Sequence, residues 1–308
     1  MILLLTFSGD LNIDLVITWL KHFKQEYIRI NADEVIENEI QVSITEKSIK
    51  YKNKNICIDD IRAVWYRKFG YFSESNYFDS TKGIISTDDL QQLAHEFSAI
   101  LSVLVSLLKK KKWLTAPWVA NLNKLDILLL ARECGLDIPE SYIISKKNQL
   151  LELQKNTGKI FITKSIYEHY FIHTQNHIFS MFTKEIINID NIPSLFFPSL
   201  IQEKILKEYE LRIFYINGEF YTMAIFSQGN KNTELDFRKY YLENPNRNVP
   251  YNLPCAIKEK LLNMLNKMKL NCCSIDIIKS SSDDKYYFLE INPTGAFGMT
   301  TIPCNYEV

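Results

Sequence analysis

The fold is decided near the end of the chain, by the stretch Phe288-Leu289-Glu290-Ile291-Asn292-Pro293. Asp276 stands in a similar apolar run ahead of it, and the polar residues Ser280–Asp284 separate the two runs. Apolar runs on either side of such a turn predict a β-hairpin. Because side chains two apart on a strand share a face, Glu290 and Asn292 are expected to point the same way.

The predicted hairpin brings two acids together. With the turn centred near Ser282, Asp276 would lie opposite Phe288 and diagonal to Glu290, within side-chain reach. Two carboxylates and the amide oxygen of Asn292 are ligands that suit Mg²⁺, which would take its other oxygens from phosphates. The alternative is that both acids lie on edge strands and face water, and the pattern alone favours neither interpretation.

The composition is that of a globular protein of about two domains. The chain has 308 residues, 46% of them hydrophobic, and its 36 Lys and Arg balance 36 Asp and Glu. A net charge of zero argues against a nucleic-acid or anionic-membrane partner. The six cysteines lack CxxC or zinc spacing and are expected to be reduced thiols of a cytoplasmic protein. The longest apolar stretch, 97–108, is too short for a membrane span, and the first residues lack the features of a signal peptide.

The hydrophobic pattern predicts alternating strands and helices in two differently textured regions. Residues 1–120 read as an α/β unit, and a strand–helix–strand pattern begins at about 136. Asn217-Gly218 predicts a type I′ hairpin, and the polar segment 231–254 predicts a long loop that could act as a lid. One helix is expected to begin at Asp10 or Asn12, and a second at Ser86 or Thr87 with Lys109 to Lys112 in its last turn. Another is expected to begin at about 123 and to end at Gly135. A further helix is expected at Ile257–Leu270. The main strands are expected at Ile2–Phe7, Glu26–Ile30, Val42–Ile44, Ile49–Tyr51, Ile56–Ile58, Ile61–Tyr66, Tyr142–Ile144, Ile160–Ile166, Leu200–Ile205, Glu210–Ile216 and Glu219–Phe226.

Three basic side chains are candidates for binding an anion. Lys164 closes an apolar strand and could meet a phosphate, or its head could reach water while its stem packs. Arg212 could clamp a phosphate or carboxylate, or pair with Glu210. Arg238, in the polar loop, could bind a substrate or be exposed. The chain contains no GxSxG, GxGxxG or GxxxxGK[ST] motif, so those routes to hydrolysis or nucleotide binding have no support.

The order of these motifs resembles that of the ATP-grasp superfamily over nearly the whole chain. It runs through Asn123-Lys124, Lys164, Gln202-Glu203-Lys204-Ile205, Glu210-Leu211-Arg212, Asp276 and Phe288–Pro293. Two further stretches resemble the graspetide synthetases, the microviridin-type peptide macrocyclases, and particularly the grasp-with-spasm maturases. They are Val64-Trp65-Tyr66-Arg67 and the tail from Glu290 to Met299.

This resemblance implies an α/β (α+β) ATP-grasp fold in three parts. They are a pre-ATP-grasp domain at 1–120, a small central domain at 121–200 and a C-terminal ATP-grasp domain at 201–308, with ATP between the last two. The implied site residues are Lys124 and Lys164 on phosphates, Gln202, Glu203, Lys204 and Ile205 over adenine, Glu210 on the ribose, Asp276, Glu290 and Asn292 on Mg²⁺, and Arg212 and Arg238 on the transferring phosphoryl group. The chain departs from the family pattern at Ser165, which replaces a proline, and at Ala296, which replaces a glutamine. The family also leads us to expect a further helix beyond Val308.

The implied activity is ATP-dependent peptide macrocyclisation. Asp or Glu side chains of a ribosomal precursor peptide, with leader and core parts, become acyl phosphates, and Ser, Thr or Lys side chains attack them to give ω-esters or ω-amides. Aromatic residues of the central domain could dock the peptide or could pack in its core: Tyr167, Tyr170, Phe171, Phe196 and Phe197. A RimK-like ligase of amino acids or of a protein C-terminus is the alternative, and a non-catalytic binding protein is the third hypothesis. A homo-oligomer is also open.

Overall fold

The computed structural model divides the chain into two compact units, Met1–Asn121 and Leu122–Val308. It describes residues 1–35, 40–69, 76–81, 83–167, 171–173, 178–180, 182–229, 235 and 245–308. The three domains predicted from the sequence, with boundaries at residues 120 and 200, remain a prediction.

The first unit is built on a four-stranded parallel sheet with the order β2-β1-β6-β7. A separate three-stranded antiparallel sheet, β3-β4-β5, lies where the sequence predicts the strands Val42–Ile44, Ile49–Tyr51 and Ile56–Ile58. The core between these elements is formed mainly by Leu, Ile and Val side chains of the strands and of α3. The strands are β1 Ile2–Thr6, β2 Tyr27–Asn31, β3 Gln41–Ser43, β4 Ser48–Tyr51, β5 Lys54–Cys57, β6 Ala63–Tyr66 and β7 Lys112–Leu114, and the helices are α1 Leu11–His22, α2 Asn76–Thr81, α3 Thr87–Leu108 and α4 Pro117–Ala120.

The long helix α3 begins where the sequence predicts and ends earlier. The hydroxyl of Ser86 accepts a hydrogen bond from the Asp89 backbone N–H at 3.1 Å, which satisfies one of the donors left open at a helix start. The helix ends at Leu108, so the prediction that Lys109 to Lys112 form its last turn is wrong; Lys112 instead begins β7. By length and composition this helix could cross a membrane. It nevertheless contributes several side chains to the core of the first unit.

The second unit contains two larger antiparallel sheets that follow one another along the chain. The first has the order β12-β9-β13-β8, and the second has the order β16-β15-β14-β17-β18. A two-stranded ribbon, β10-β11, completes its strands as far as the structure describes them. The strands are β8 Ser141–Lys146, β9 Phe161–Thr163, β10 Phe171–His173, β11 Ile178–Ser180, β12 Lys184–Glu185, β13 Leu195–Glu203, β14 Lys207–Ile216, β15 Glu219–Phe226, β16 Arg247–Pro250, β17 Cys272–Ser280 and β18 Tyr286–Asn292, and the helices are α5 Lys124–Glu133, α6 Lys147–Thr157, α7 Cys255–Met268 and α8 Gly298–Cys304.

The turn between β14 and β15 has the predicted form. Ile216 pairs directly with Glu219, which leaves a two-residue loop of Asn217 and Gly218. Both residues have positive φ, at 45° and 103°. A type I′ turn requires this at its two central positions, and Asn and Gly adopt it most readily.

Two other predictions about this unit need correction. The strand expected over Ile160–Ile166 spans only Phe161–Thr163. Lys164 therefore follows the strand instead of lying within it. The segment 231–254 is not loop throughout, because Arg247–Pro250 forms β16 at the edge of the second sheet. Apart from Leu235 and the residues from 245 onward, this segment lies outside the described residues.

Candidate active site

A cavity of about 250 Å³ opens in the second unit where its two sheets meet. One wall comes from β9 and the end of β13, and the other comes from β14, β17 and β18 of the five-stranded sheet. Eight of the residues singled out in the sequence line it: Lys164, Gln202, Glu203, Lys204, Ile205, Glu210, Asp276 and Glu290. The structure therefore brings together residues that are up to 126 positions apart, a separation read directly from their numbers.

Asp276 and Glu290 face each other directly across β17 and β18. The predicted register, with Asp276 opposite Phe288, is wrong, because Phe288 pairs with Ile277 and Leu289 is an extra residue in a β-bulge. The bulge turns Phe288 into the core, where it is fully buried, and leaves Glu290 on the face of Asp276. The predicted meeting of the two acids thus occurs, through a bulge that re-aims one side chain.

Basic side chains accompany both acids. The Nη1 atom of Arg212 donates to Oδ1 and Oδ2 of Asp276 at 2.8 and 2.7 Å, and both residues are buried. The Nζ atom of Lys124, at the start of α5, lies 3.6 Å from Oε2 of Glu290. A buried carboxylate needs such a partner, because leaving it uncompensated in a low-dielectric interior is strongly unfavourable. The alternative prediction that Arg212 pairs with Glu210 is not what the structure shows.

Glu210 is buried on the same wall and is held by two neighbours. Lys207 forms an ion pair with its Oε1 atom, and the hydroxyl of Ser227 donates to the same oxygen at 3.2 Å. Burial raises the pKa of the Glu210 carboxyl above its ordinary value, and the charge of Lys207 opposes this rise. Lys207 thereby favours the ionised carboxylate.

The segment 202–206 links the two sheets, and two of its residues, Glu203 and Lys204, form ion pairs. Lys159 lies 3.1 Å from Glu203 and 2.8 Å from Glu140, and Lys204 lies 2.6 Å from Glu185. The Lys204 backbone N–H donates to the Ile160 carbonyl at 2.8 Å. These contacts anchor a short connection whose backbone and side chains border the cavity.

Three of the predicted site residues that the structure describes, Asn292, Lys124 and Arg212, are not among those that line the cavity. The side-chain oxygen of Asn292 accepts from the Thr294 backbone N–H at 3.1 Å and from the Thr294 hydroxyl. Lys124 and Arg212 instead form ion pairs with Glu290 and Asp276, which do line the cavity. Arg238 lies outside the described residues.

Sequence reasoning missed several residues of the cavity, and Lys207 is the most consequential. Lys207 and Glu210 are three apart, and regular strand alternation would put them on opposite faces. No pattern in the sequence indicates this contact. The other missed residues that line the cavity are Pro139, Ile162, Thr183, Leu206, Gln228, Leu235, Ile278, Ser281 and Leu289.

The paired acids fit a magnesium ion that is held jointly with a phosphorylated ligand. Among the described residues, no group of three or more His, Cys, Asp and Glu is arranged to hold a metal by itself. Mg²⁺ commonly uses one or two carboxylates and takes its other oxygens from water and phosphates. Asp276 and Glu290 supply carboxylates of this kind on one face.

Comparison with protein families supports the assignment of the first unit. Residues 1–118 match the family model described as the MvdD pre-ATP grasp domain. No match is found among curated proteins.

Solved structures resemble the chain over nearly its whole length. Macrocyclase MdnC from Microcystis aeruginosa MRC, bound with precursor peptide MdnA, has 25% identity and a TM-score of 0.81, and the match covers 98% of this chain and 94% of that one. A RiPP-associated ATP-grasp ligase from Chryseobacterium gregarium, in complex with ADP and a leader and core peptide, has 24% identity, a TM-score of 0.80 and coverages of 96% and 90%. The ATP-grasp ligase PsnB, complexed with minimal precursor, Mg and ADP, has 18% identity, a TM-score of 0.77 and coverages of 100% and 93%.

The chain is therefore an enzyme of the ATP-grasp ligase class, with the fold that the sequence predicts. Within that class it is most similar in these comparisons to graspetide synthetases: the first unit matches the MvdD pre-ATP grasp model, and the whole chain resembles the macrocyclase MdnC.

Proposed function

We propose that this enzyme is an ATP-dependent macrocyclase of a ribosomally made precursor peptide. ATP and Mg²⁺ are its cofactors, and a peptide with leader and core parts is its substrate. An Asp or Glu side-chain carboxylate attacks the γ-phosphorus, ADP leaves, and an acyl phosphate results. A Ser, Thr or Lys side chain then attacks the acyl carbon and phosphate leaves, forming an ω-ester or ω-amide with net loss of water.

The observation that carries this proposal is the Asp276–Glu290 pair with its basic neighbours in one cavity. Phosphoryl transfer requires positioning and charge neutralisation more than covalent help from the protein. Lys164, Lys124 and Arg212 supply positive charge near the two metal-binding acids. The whole-chain likeness to MdnC supports a peptide macrocyclase over a RimK-like ligase.

Apolar side chains on β13 and in the segment after β9 offer a surface on which a peptide could dock. Two of the aromatic residues singled out in the sequence are largely exposed, Tyr167 at 66% and Phe197 at 86%, which disfavours core packing for them. Neighbouring Leu195 is 68% exposed. Remote contacts of this kind hold the two reacting groups together and make the reaction effectively unimolecular.

Of the segment 231–254, the part that precedes β16 is proposed as a lid that shields the acyl phosphate from water. Leu235 supports this role, because it lines the cavity. A cytoplasmic location, and the absence of nucleic-acid and membrane partners, remain expectations from composition. Self-association also remains a prediction.

The proposed activity is tested by mass spectrometry of a candidate precursor rich in Thr and in Glu or Asp. With enzyme, ATP and Mg²⁺ we expect a loss of about 18 Da per link formed, and a much slower reaction on the core without its leader. The Glu290→Gln variant serves as the inactive control. A reaction that releases phosphate by joining free amino acids, with the peptide mass unchanged, contradicts the macrocyclase and favours the RimK-like ligase.

We expect Lys164→Met to weaken ATP binding about 10- to 100-fold, since a charged hydrogen bond contributes roughly 1.5–3 kcal/mol. Lys164 borders the cavity directly after β9, where its ammonium group can reach a phosphate. Calorimetry of ATP binding measures the effect. Lys155→Met, which removes an exposed lysine of α6 in the same unit, is the control, and equal affinities for the two variants would show that Lys164 does not meet the nucleotide.

A further inference from the structure

The contact between Lys207 and Glu210 exists because of an irregularity in β14. On the neighbouring strand β17, Ser280 pairs with Lys207 and Ile278 pairs with Glu210. Ser280 and Ile278 are two apart and share a face, so Lys207 and Glu210 share a face as well. The register shifts between Lys207, which pairs with Ser280, and Tyr209, which pairs with Lys279. Glu208 is therefore the extra residue of a β-bulge. Bulges next to active sites commonly re-aim a side chain in this way.

The re-aimed lysine is buried together with its partner inside the cavity wall. The side chains of Lys207 and Glu210 are only 7% and 8% exposed, and both residues line the cavity. A lysine is rarely buried to this extent unless it is paired. The pair is completed by the hydroxyl of Ser227, which donates to the same carboxylate oxygen.

We propose that Lys207 is the positioning residue of the nucleotide site, which holds the Glu210 carboxylate ionised and oriented to accept hydrogen bonds from the ribose hydroxyls. This inference rests on the proposed function for its ligand, an adenosine nucleotide. The ammonium group occupies Oε1 of Glu210 together with Ser227, so Oε2 is the oxygen that we assign to the ribose. The pairing removes the rotational freedom that a lone carboxylate would have.

The charges around Glu210 make this role of Lys207 necessary. Asp276, on β17, lies near enough to raise the pKa of Glu210 further, and burial acts in the same direction. Lys207 on β14 and the Ser227 hydroxyl after β15 oppose them. The other charged residues that line the cavity are Lys164, Glu203, Lys204 and Glu290. Without Lys207, the pKa of Glu210 would rise further, and a larger fraction of its carboxyl would be protonated at any given pH.

The test measures binding of ATP, 2′-deoxy-ATP and 3′-deoxy-ATP by calorimetry, without peptide. We expect Lys207→Met to bind ATP at least about tenfold more weakly and to lose most of the preference for ATP over the deoxynucleotides. We also expect its ATP affinity to increase with pH, as Glu210 ionises, and to do so more steeply than the wild-type affinity. Lys207→Arg should restore the ribose preference.

Two further variants separate positioning from general loss of structure or of charge. Lys279→Met removes another buried lysine of the same sheet, one whose partner is Asp284, and it should leave nucleotide binding unchanged. The double variant Lys207→Met/Glu210→Gln should bind ATP no more weakly than Glu210→Gln alone, because the two residues act as one unit.

Two results would overturn the proposal: an unchanged ribose preference in Lys207→Met, or additive losses in the double variant. Either would mean that Lys207 contacts the phosphates directly or acts only on folding. Because peptide is absent from these measurements, an enzyme that binds ATP with the expected pattern but modifies no peptide contradicts the proposed function alone.

Discussion

The Glu290→Gln variant is expected to lose ATP turnover by at least about a hundredfold while it unfolds at nearly the wild-type temperature. Such a loss corresponds to about 2.7 kcal/mol on the transition-state scale. Glu290 faces Asp276 directly across two strands, and replacing its carboxylate removes charge that would hold Mg²⁺ against the transferring phosphoryl group. The amide is nearly isosteric, and the Glu290 side chain is 18% exposed, so little packing is lost.

Turnover is measured as phosphate release at saturating Mg²⁺ and ATP, with thermal unfolding recorded on the same samples. Glu219→Gln, which neutralises an exposed acid at the start of β15 in the same sheet, controls for the change in net charge. If turnover of Glu290→Gln stays within about threefold of wild type, the assignment of Glu290 to the metal is wrong.

The largest effect on stability is expected from Gly295→Ala, about 2–5 kcal/mol. Gly295 has φ of +61°, and an added Cβ would lie 2.7 Å from Sγ of Cys272 and 3.2 Å from the Phe214 ring. Cys272 and Phe214 are both buried, so neither can move aside cheaply, and overpacking of a core commonly costs about 1–3 kcal/mol. The left-handed backbone adds roughly 1–2 kcal/mol for any residue with a Cβ.

A matched glycine separates these two contributions. Gly158, which ends α6, has nearly the same φ of +65°, but an added Cβ there meets nothing within 4 Å. Gly158→Ala should therefore lose only the backbone contribution, about 1–2 kcal/mol. Urea unfolding of both variants measures the difference, and equal losses would show that the space around Gly295 is not restricting.

The sequence predicts the candidate site because its acids stand out against apolar strands. Asp276 and Glu290 interrupt runs of β-branched and aromatic residues, which singles them out as candidates, and the order of the surrounding motifs then favours the metal site over acids that face water. The turn at Asn217-Gly218 is equally predictable, since few dipeptides accept two positive φ values. In both cases the signal is local, carried by a few adjacent side chains.

The features that the sequence could not predict depend on contacts between strands. The bulges at Glu208 and Leu289 are recognisable only from the register with β17, because neither residue is of a type that indicates a bulge in the sequence. The prediction that the lysines after α3 form its last turn is wrong for a related reason. Their charges suit a helix end, yet Lys112 pairs with Ala63 in the parallel sheet.

The two bulges flank the same strand, and β17 itself has no extra residue across the site. Asp276, Ile278 and Ser280 follow one another at every second position of β17 and share a face. They pair with Glu290, Glu210 and Lys207, respectively. Loss of one residue at either bulge would leave those pairings in place, because the residue lost has no partner. Loss of one residue within β17 would move one set of functional groups by a whole position. Insertions and deletions in related chains should therefore accumulate in the flanking strands and spare the central one.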